Sequence, residues 1–151
     1  MNRDICERHV SEYMNPATPV VSMRTSIQDA LRLVNVHGFS ALPVCEEGRF
    51  LGMVREKDLL SMTPSQATSL SRFEIHSLLD KVKVGSIVKF PSATAAPDLP
   101  LCEAAEIMRK QSADVLPVVD RSRYAGLLSW RDLIDASLED CTSIGGCGRR
   151  K

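Results

Sequence analysis

Five side chains carry most of the chemistry this chain offers: Ser129, Arg131 and Asp132 at one place, and Arg55 and Asp58 at another. The first group closes the stretch Ala125-Gly126-Leu127-Leu128-Ser129-Trp130-Arg131-Asp132-Leu133, a short apolar strand that runs into a helix through a hydroxyl, a base and a carboxylate. An aspartate near a helix start can accept hydrogen bonds from both hydroxyls of a ribose, and the unpaired N–H groups there can meet a phosphate. The same residues have a plainer use. Ser129 can be an N-cap, and Asp132 a charge favoured by the helix dipole, an effect of about 0.3–1 kcal/mol. Seventy-four residues earlier, Leu51-Gly52-Met53-Val54-Arg55-Glu56-Lys57-Asp58-Leu59 repeats the glycine, the apolar pair, the base, the aspartate and the leucine. There Arg55 replaces the hydroxyl, and a guanidinium can instead grip a phosphate through two parallel hydrogen bonds.

Other chemistries find little support. Nineteen basic residues balance nineteen acidic ones, so no overall field draws in nucleic acid or an anionic membrane. No apolar run approaches the roughly eighteen residues of a membrane helix, and the charged opening Met-Asn-Arg-Asp-Ile-Cys-Glu-Arg holds no secretory core. A cytoplasmic protein without a membrane or nucleic-acid partner is expected. Cys6, Cys45, Cys102, Cys141 and Cys147 lack paired spacing, which argues against a disulfide framework. Cys6-x-x-His9 is half of a zinc pattern with no second half, so no metal is expected. Cys45, in an apolar strand, and Cys102, in an amphipathic helix, read as small hydrophobes. His9, His37 and His76 fall in separate segments, with no nucleophile elbow and no phosphate-binding Gly-Lys loop. Catalytic residues are therefore not expected.

The elements that must position these residues follow from periodicity. Residues 4–13 read as a lead-in helix stopped by Pro16 and Pro19, and residues 18–21 as a brief extended segment. Thr25 and Ser26 offer a cap for a helix to His37 with Ile27, Ala30, Leu31 and Val34 on one face, ended by Gly38. Strands over 41–45 and 49–54 flank the turn Glu46-Glu47-Gly48, and a short helix carrying Asp58 runs to Pro64. A polar linker over 62–73 leads to a helix over 73–83, and the pattern then restarts. The tail from Glu139, with Gly145-Gly146-Cys147-Gly148, has too little apolar content to fold.

Residues 10–60 lie over 84–134 without a gap. Within the eighteen positions 42–59, seven are identical: Leu42/Leu116, Pro43/Pro117, Val44/Val118, Arg49/Arg123, Gly52/Gly126, Asp58/Asp132 and Leu59/Leu133. Chance would give about one, so this is an internal duplication whose halves complete each other's core. The expected division is 1–62 as first repeat with its lead-in, 63–83 as linker and helix, 84–138 as second repeat, and 139–151 as tail.

An Ala/Ser-Leu-Pro-Val strand, a hairpin, and then Gly-apolar-apolar-Ser/Thr-x-x-Asp-Leu, all duplicated, resemble a tandem pair of CBS domains, the Bateman module. The resemblance covers about residues 10–137. It implies an α/β (α+β) fold of two β-α-β-β-α repeats, packed through their sheets about a pseudo-two-fold axis and commonly paired into flat homodimers. It also implies clefts for adenosine-containing ligands: AMP, ADP, ATP or S-adenosylmethionine. In the better cleft Asp132 and Ser129 would face the ribose, Arg131 would add charge, and the backbone of Ala113, Asp114 and Val115 entering Leu116-Pro117 would read the base. Thr94 and Ala95 would close it. A second, weaker site would use Thr18, Ser40, Ala41, Leu42, Pro43, Arg55 and Asp58. Pro43 and Pro117 would mainly shape the strand entry, and Trp130 would be a packing or dimer contact. The function implied is a non-catalytic regulatory module that relays ligand binding to another protein. The alternative is an interaction or dimerisation module with empty clefts.

Overall fold

Each repeat is built on an antiparallel hairpin whose strands read as apolar runs because their side chains enter a core. In the computed structural model, which describes residues 4–65 and 69–143, the first hairpin is β1 (Ala41–Glu46) with β2 (Arg49–Arg55), and the second is β3 (Val115–Asp120) with β4 (Arg123–Ser129). Their registers superimpose at the offset seen in the sequence. Ala41 faces Arg55 as Val115 faces Ser129, and the register shift at Val44/Cys45 recurs at Val118/Val119. The turns differ: Glu47 and Gly48 have positive φ in the first, Arg121 and Ser122 in the second, where no glycine relieves the left-handed backbone.

The chain divides into two units, Thr18–Pro91 and the residues up to Ala17 joined by those from Ser92 onward. In the first unit Ser26 accepts the Asp29 N–H and starts α2 (Ile27–His37), and left-handed Gly38 ends it. Ile27, Ala30 and Val34 of α2 meet Leu42, Val44, Val54, Leu59, Leu79 and Val84 in the core. The unit is completed by α3 (Glu56–Ser61) and α4 (Arg72–Lys81). In the second unit α1 (Val10–Tyr13), α5 (Leu101–Gln111) and α6 (Trp130–Ser143) surround β3 and β4, with Val10, Leu101, Met108, Leu116, Leu128 and Leu133 buried together.

The lead-in, expected with the repeat that runs to residue 62, is grouped by its packing with the residues from Ser92 onward. The lead-in folds in the second unit: the Val10 N–H donates to Leu99 O at 2.9 Å, and Asn15 exchanges hydrogen bonds with Leu127. The matching strap of the second repeat folds in the first unit, where Lys89 exchanges hydrogen bonds with Met53. Fifteen and 89, like 53 and 127, differ by the repeat offset, so the two straps have traded hairpins. This explains the duplicated glycine. A Cβ on Gly52 would lie 2.8 Å from Lys89 O, and one on Gly126 would lie 3.0 Å from Asn15 O.

Four element boundaries also differ from expectation. The lead-in is a 3-10 turn (Ile5–Glu7) followed by α1, broken where Arg8 and His9 extend and His9 bridges Pro100. Residues 18–21 form only the bridge Val21↔Val44 rather than a strand. The connecting helix begins at Arg72, capped by Ser71 and Glu74, and ends at Lys81 rather than Lys83. Helix α6 continues through Ser143, so the tail does not begin at Glu139. The glycine-rich segment and Cys147 lie outside the described residues.

Two strand-to-helix corners as the candidate functional site

The corner of the second unit is fixed first by backbone. Ser129 closes β4 opposite Val115, and the next N–H, of Trp130, donates to Asp114 O at 3.3 Å. Helix α6 therefore starts beside the entry to β3. On its far side β3 carries Ala95, whose N–H donates to Pro117 O at 2.9 Å and whose carbonyl accepts from Val119 N–H at 2.9 Å. Thr94 and Ala95, Ala113–Pro117 and Ser129–Asp132 thus all belong to one unit, with exposed Thr94 and half-buried Ser129 and Asp132 among them. The side chain of Leu116 points into the core, so only its backbone remains for a ligand.

Ser129 and Asp132 form a reciprocal cap. Asp132 Oδ2 accepts the Ser129 N–H at 2.7 Å and the Ser129 Oγ–H at 2.9 Å, while the Asp132 N–H donates to Ser129 Oγ at 3.4 Å. The plain capping use is thus present, and it occupies one carboxylate oxygen only. Oδ1 makes no hydrogen bond among the described residues. Ala113 N–H is committed to Met108 O, which ends α5 behind left-handed Ser112. Among the described residues the Ala113 carbonyl and the Asp114 N–H beside it form no hydrogen bond. Arg131 is exposed and forms no ion pair among the described residues.

The first unit repeats the backbone and changes the polar contacts. Arg55 closes β2 opposite Ala41, and Glu56 N–H donates to Ser40 O at 2.9 Å. Arg55 is exposed and gives α3 no side-chain cap. Asp58 instead pairs with Lys89, Nζ to Oδ1 at 3.3 Å, because the exchanged strap crosses β2 just there. The Asp58 side chain is 20% exposed and the Lys89 side chain 72%, so the pair contributes about 0–1 kcal/mol. Thr18, Ala41, Leu42 and Pro43 are buried and Ser40 half-buried. Pro43 O accepts from Val21 N–H on the strap side of β1; a strand residue directs N and O the same way, so the N–H that proline lacks is not needed by β2.

Two residues at these corners have no counterpart in the sequence reading. Lys89 is one. Arg8 is the other: it is buried, with Nη1 donating to Ala136 O at 2.8 Å and to Tyr13 Oη at 3.0 Å, and with Glu139 at 3.5 Å. Tyr13 donates in turn to Glu139 at 2.6 Å, and this contact with a carboxylate raises the phenol pKa. The clasp ties the lead-in to α6. Its repeat-equivalent position is Val82, so the duplication gave no hint of it. No cluster of three or more His, Cys, Asp or Glu suited to a metal is found among the described residues. No described helix is long and apolar enough to cross a membrane.

Comparison with known proteins agrees with this architecture. The chain is 25% identical over 124 residues to the CBS domain-containing protein YhcV of Bacillus subtilis, spanning 82% of this chain and 81% of that one. It is 29% identical over 128 residues to a CBS domain-containing protein of Dictyostelium discoideum, spanning 83% and 88%. The crystal structure of CBSX2 in complex with AMP superimposes with a TM-score of 0.70 at 26% identity, over 87% of this chain and 96% of that one. The CBS domain pattern itself matches twice, at residues 10–64 and 84–139, and the chain belongs to the CBS domain family.

Proposed function

We propose that this protein is a non-catalytic regulatory module that binds an adenine nucleotide at the second unit's corner and relays occupancy to a partner protein. The observation that carries the reading is the Asp132 carboxylate, held in one orientation through Oδ2 with Oδ1 available. Two ribose hydroxyls can donate to that oxygen without breaking the cap. The Ala113 carbonyl and Asp114 N–H offer an acceptor beside a donor, the complement of an adenine edge that has an amino donor beside a ring acceptor. The likeness to CBSX2, whose structure contains AMP, supports an adenosine ligand. A relay requires that the ligand bind two conformations unequally.

Thermal melting with millimolar AMP, ADP, ATP and S-adenosylmethionine tests this. At a ligand concentration about one hundred times Kd, selective binding to the native state adds about 2.7 kcal/mol, a rise of about 5–10 °C for a chain of this size. Ser129→Ala lowers the unliganded midpoint yet keeps the ligand shift, whereas Asp132→Ala abolishes the shift. Asp58→Ala weakens it less. No shift with any of the four ligands would leave the interaction-module reading in its place.

A second reading rests on α6, where Trp130, Ile134 and Leu138 recur every fourth residue and are 37%, 56% and 55% exposed. Such a stripe fits a second copy of the chain. Sedimentation should then give a dimer that Ile134→Glu converts to a monomer.

A further inference from the structure

Cys6 and Cys102 are ninety-six positions apart, and neither sits in a paired cysteine motif. The exchanged lead-in brings them together. The antiparallel bridge His9↔Pro100, with Leu101 N–H donating to Arg8 O at 2.9 Å and Val10 N–H to Leu99 O at 2.9 Å, runs residues 8–10 against 99–101. Just beyond this bridge the 3-10 turn Ile5–Glu7 packs on α5, which begins at Leu101. There Cys6 and Cys102 are neighbours, close enough for each thiol to act on the ionisation of the other. Cys6 is exposed and Cys102 half-buried, so a small oxidant reaches the pair from the Cys6 side. Cys45, by contrast, is buried in β1, and burial pushes its thiol up to about 11.

We infer that Cys6 and Cys102 form an oxidisable dithiol that closes to an intrachain disulfide, fastening the lead-in to α5 of the second unit. With hydrogen peroxide as oxidant, one thiolate attacks a peroxide oxygen and the O–O bond breaks. A sulfenic acid forms, and the departing hydroxide takes a proton to leave as water. The second thiol then attacks the sulfenic sulfur; the S–S bond forms, the S–O bond breaks, and a second water leaves. Two thiols and one peroxide give one disulfide and two waters. The neighbouring Cys102 thiol, with local desolvation and the negative charges of Asp4 and Glu103, raises Cys6 to about 11. The protonated thiol reacts slowly, so the pair rests reduced until an oxidant is supplied. A closed bridge would constrain a loop of about a hundred residues in the unfolded chain and hold the strap that crosses β4.

The test is peptide mapping of the full chain after mild peroxide, under non-reducing conditions. Trypsin should release Asp4–Arg8 joined to Phe90–Arg109, lighter than the two separate peptides by two hydrogen atoms and separated again by a thiol reductant. The oxidised chain should melt about 5–10 °C higher, the shift being lost in Cys6→Ser and in Cys102→Ser, which fold with unchanged reduced-state midpoints. Recovery of Cys6 as a sulfinic acid, its linkage to Cys141 or Cys147, or an oxidised midpoint equal to the reduced one would overturn the inference.

Discussion

The corner at Arg55 and the corner at Ser129 have one backbone and two sets of polar contacts. Strand register, the anchoring hydrogen bond from the first helical N–H, the crossing strap and its glycine recur at an offset of seventy-four residues. The carboxylates do not. Asp132 is held by a serine through backbone and side chain in a closed cap, while Asp58 answers a lysine delivered by the exchanged strap. A duplicated fold holds its backbone because both copies bury the same strands. Its surface polar groups are free to diverge because exposed pairs contribute little to stability. The reciprocal serine–aspartate cap is thereby confined to one of the two corners.

The largest expected effect tests the shared part. Gly52→Ala forces a Cβ to 2.8 Å from both Lys89 O and Val88 Cγ2, and should cost about 3 kcal/mol in chemical denaturation. Gly126→Ala meets the Asn15 carbonyl at 3.0 Å and the flexible Met14 side chain, and should cost about half as much. Equal costs would show that the two straps press equally. Next comes the clasp that only the second unit owns: Arg8→Met removes the charged donor to Ala136 O and should cost about 2 kcal/mol. Val82→Ala at the equivalent position removes no polar contact, so its cost should not depend on salt. The smallest effects probe the cap. Ser129→Ala should cost about 1 kcal/mol, and Arg55→Ser, which rebuilds the cap on Asp58, should gain about 0.5 kcal/mol.

The hairpins, the α2 and α5 helices and the duplication were legible because they rest on local periodicity and on paired turn and cap residues. The candidate corner was legible as well, down to the Ser129–Asp132 spacing. Which carboxylate oxygen stays free was not, since the cap depends on rotamers. The exchange of straps was hidden for a physical reason: Asn15 and Lys89 contribute backbone to their bridges, and backbone pairing leaves no residue-type signature. The one trace was a glycine in each apolar strand where no turn requires one. Arg8 left none, because an arginine near a chain start reads as solvated until α6 is seen to cover it.

The claim that the two repeats are chemically unequal is tested most directly by following backbone amide resonances while AMP is titrated into the whole chain. The account predicts that amides of 113–116 and 129–132 move first and saturate together, with 39–42 and 55–58 moving only at higher concentration or not at all. Earlier saturation at 55–58, or parallel movement of both sets with one midpoint, would contradict it.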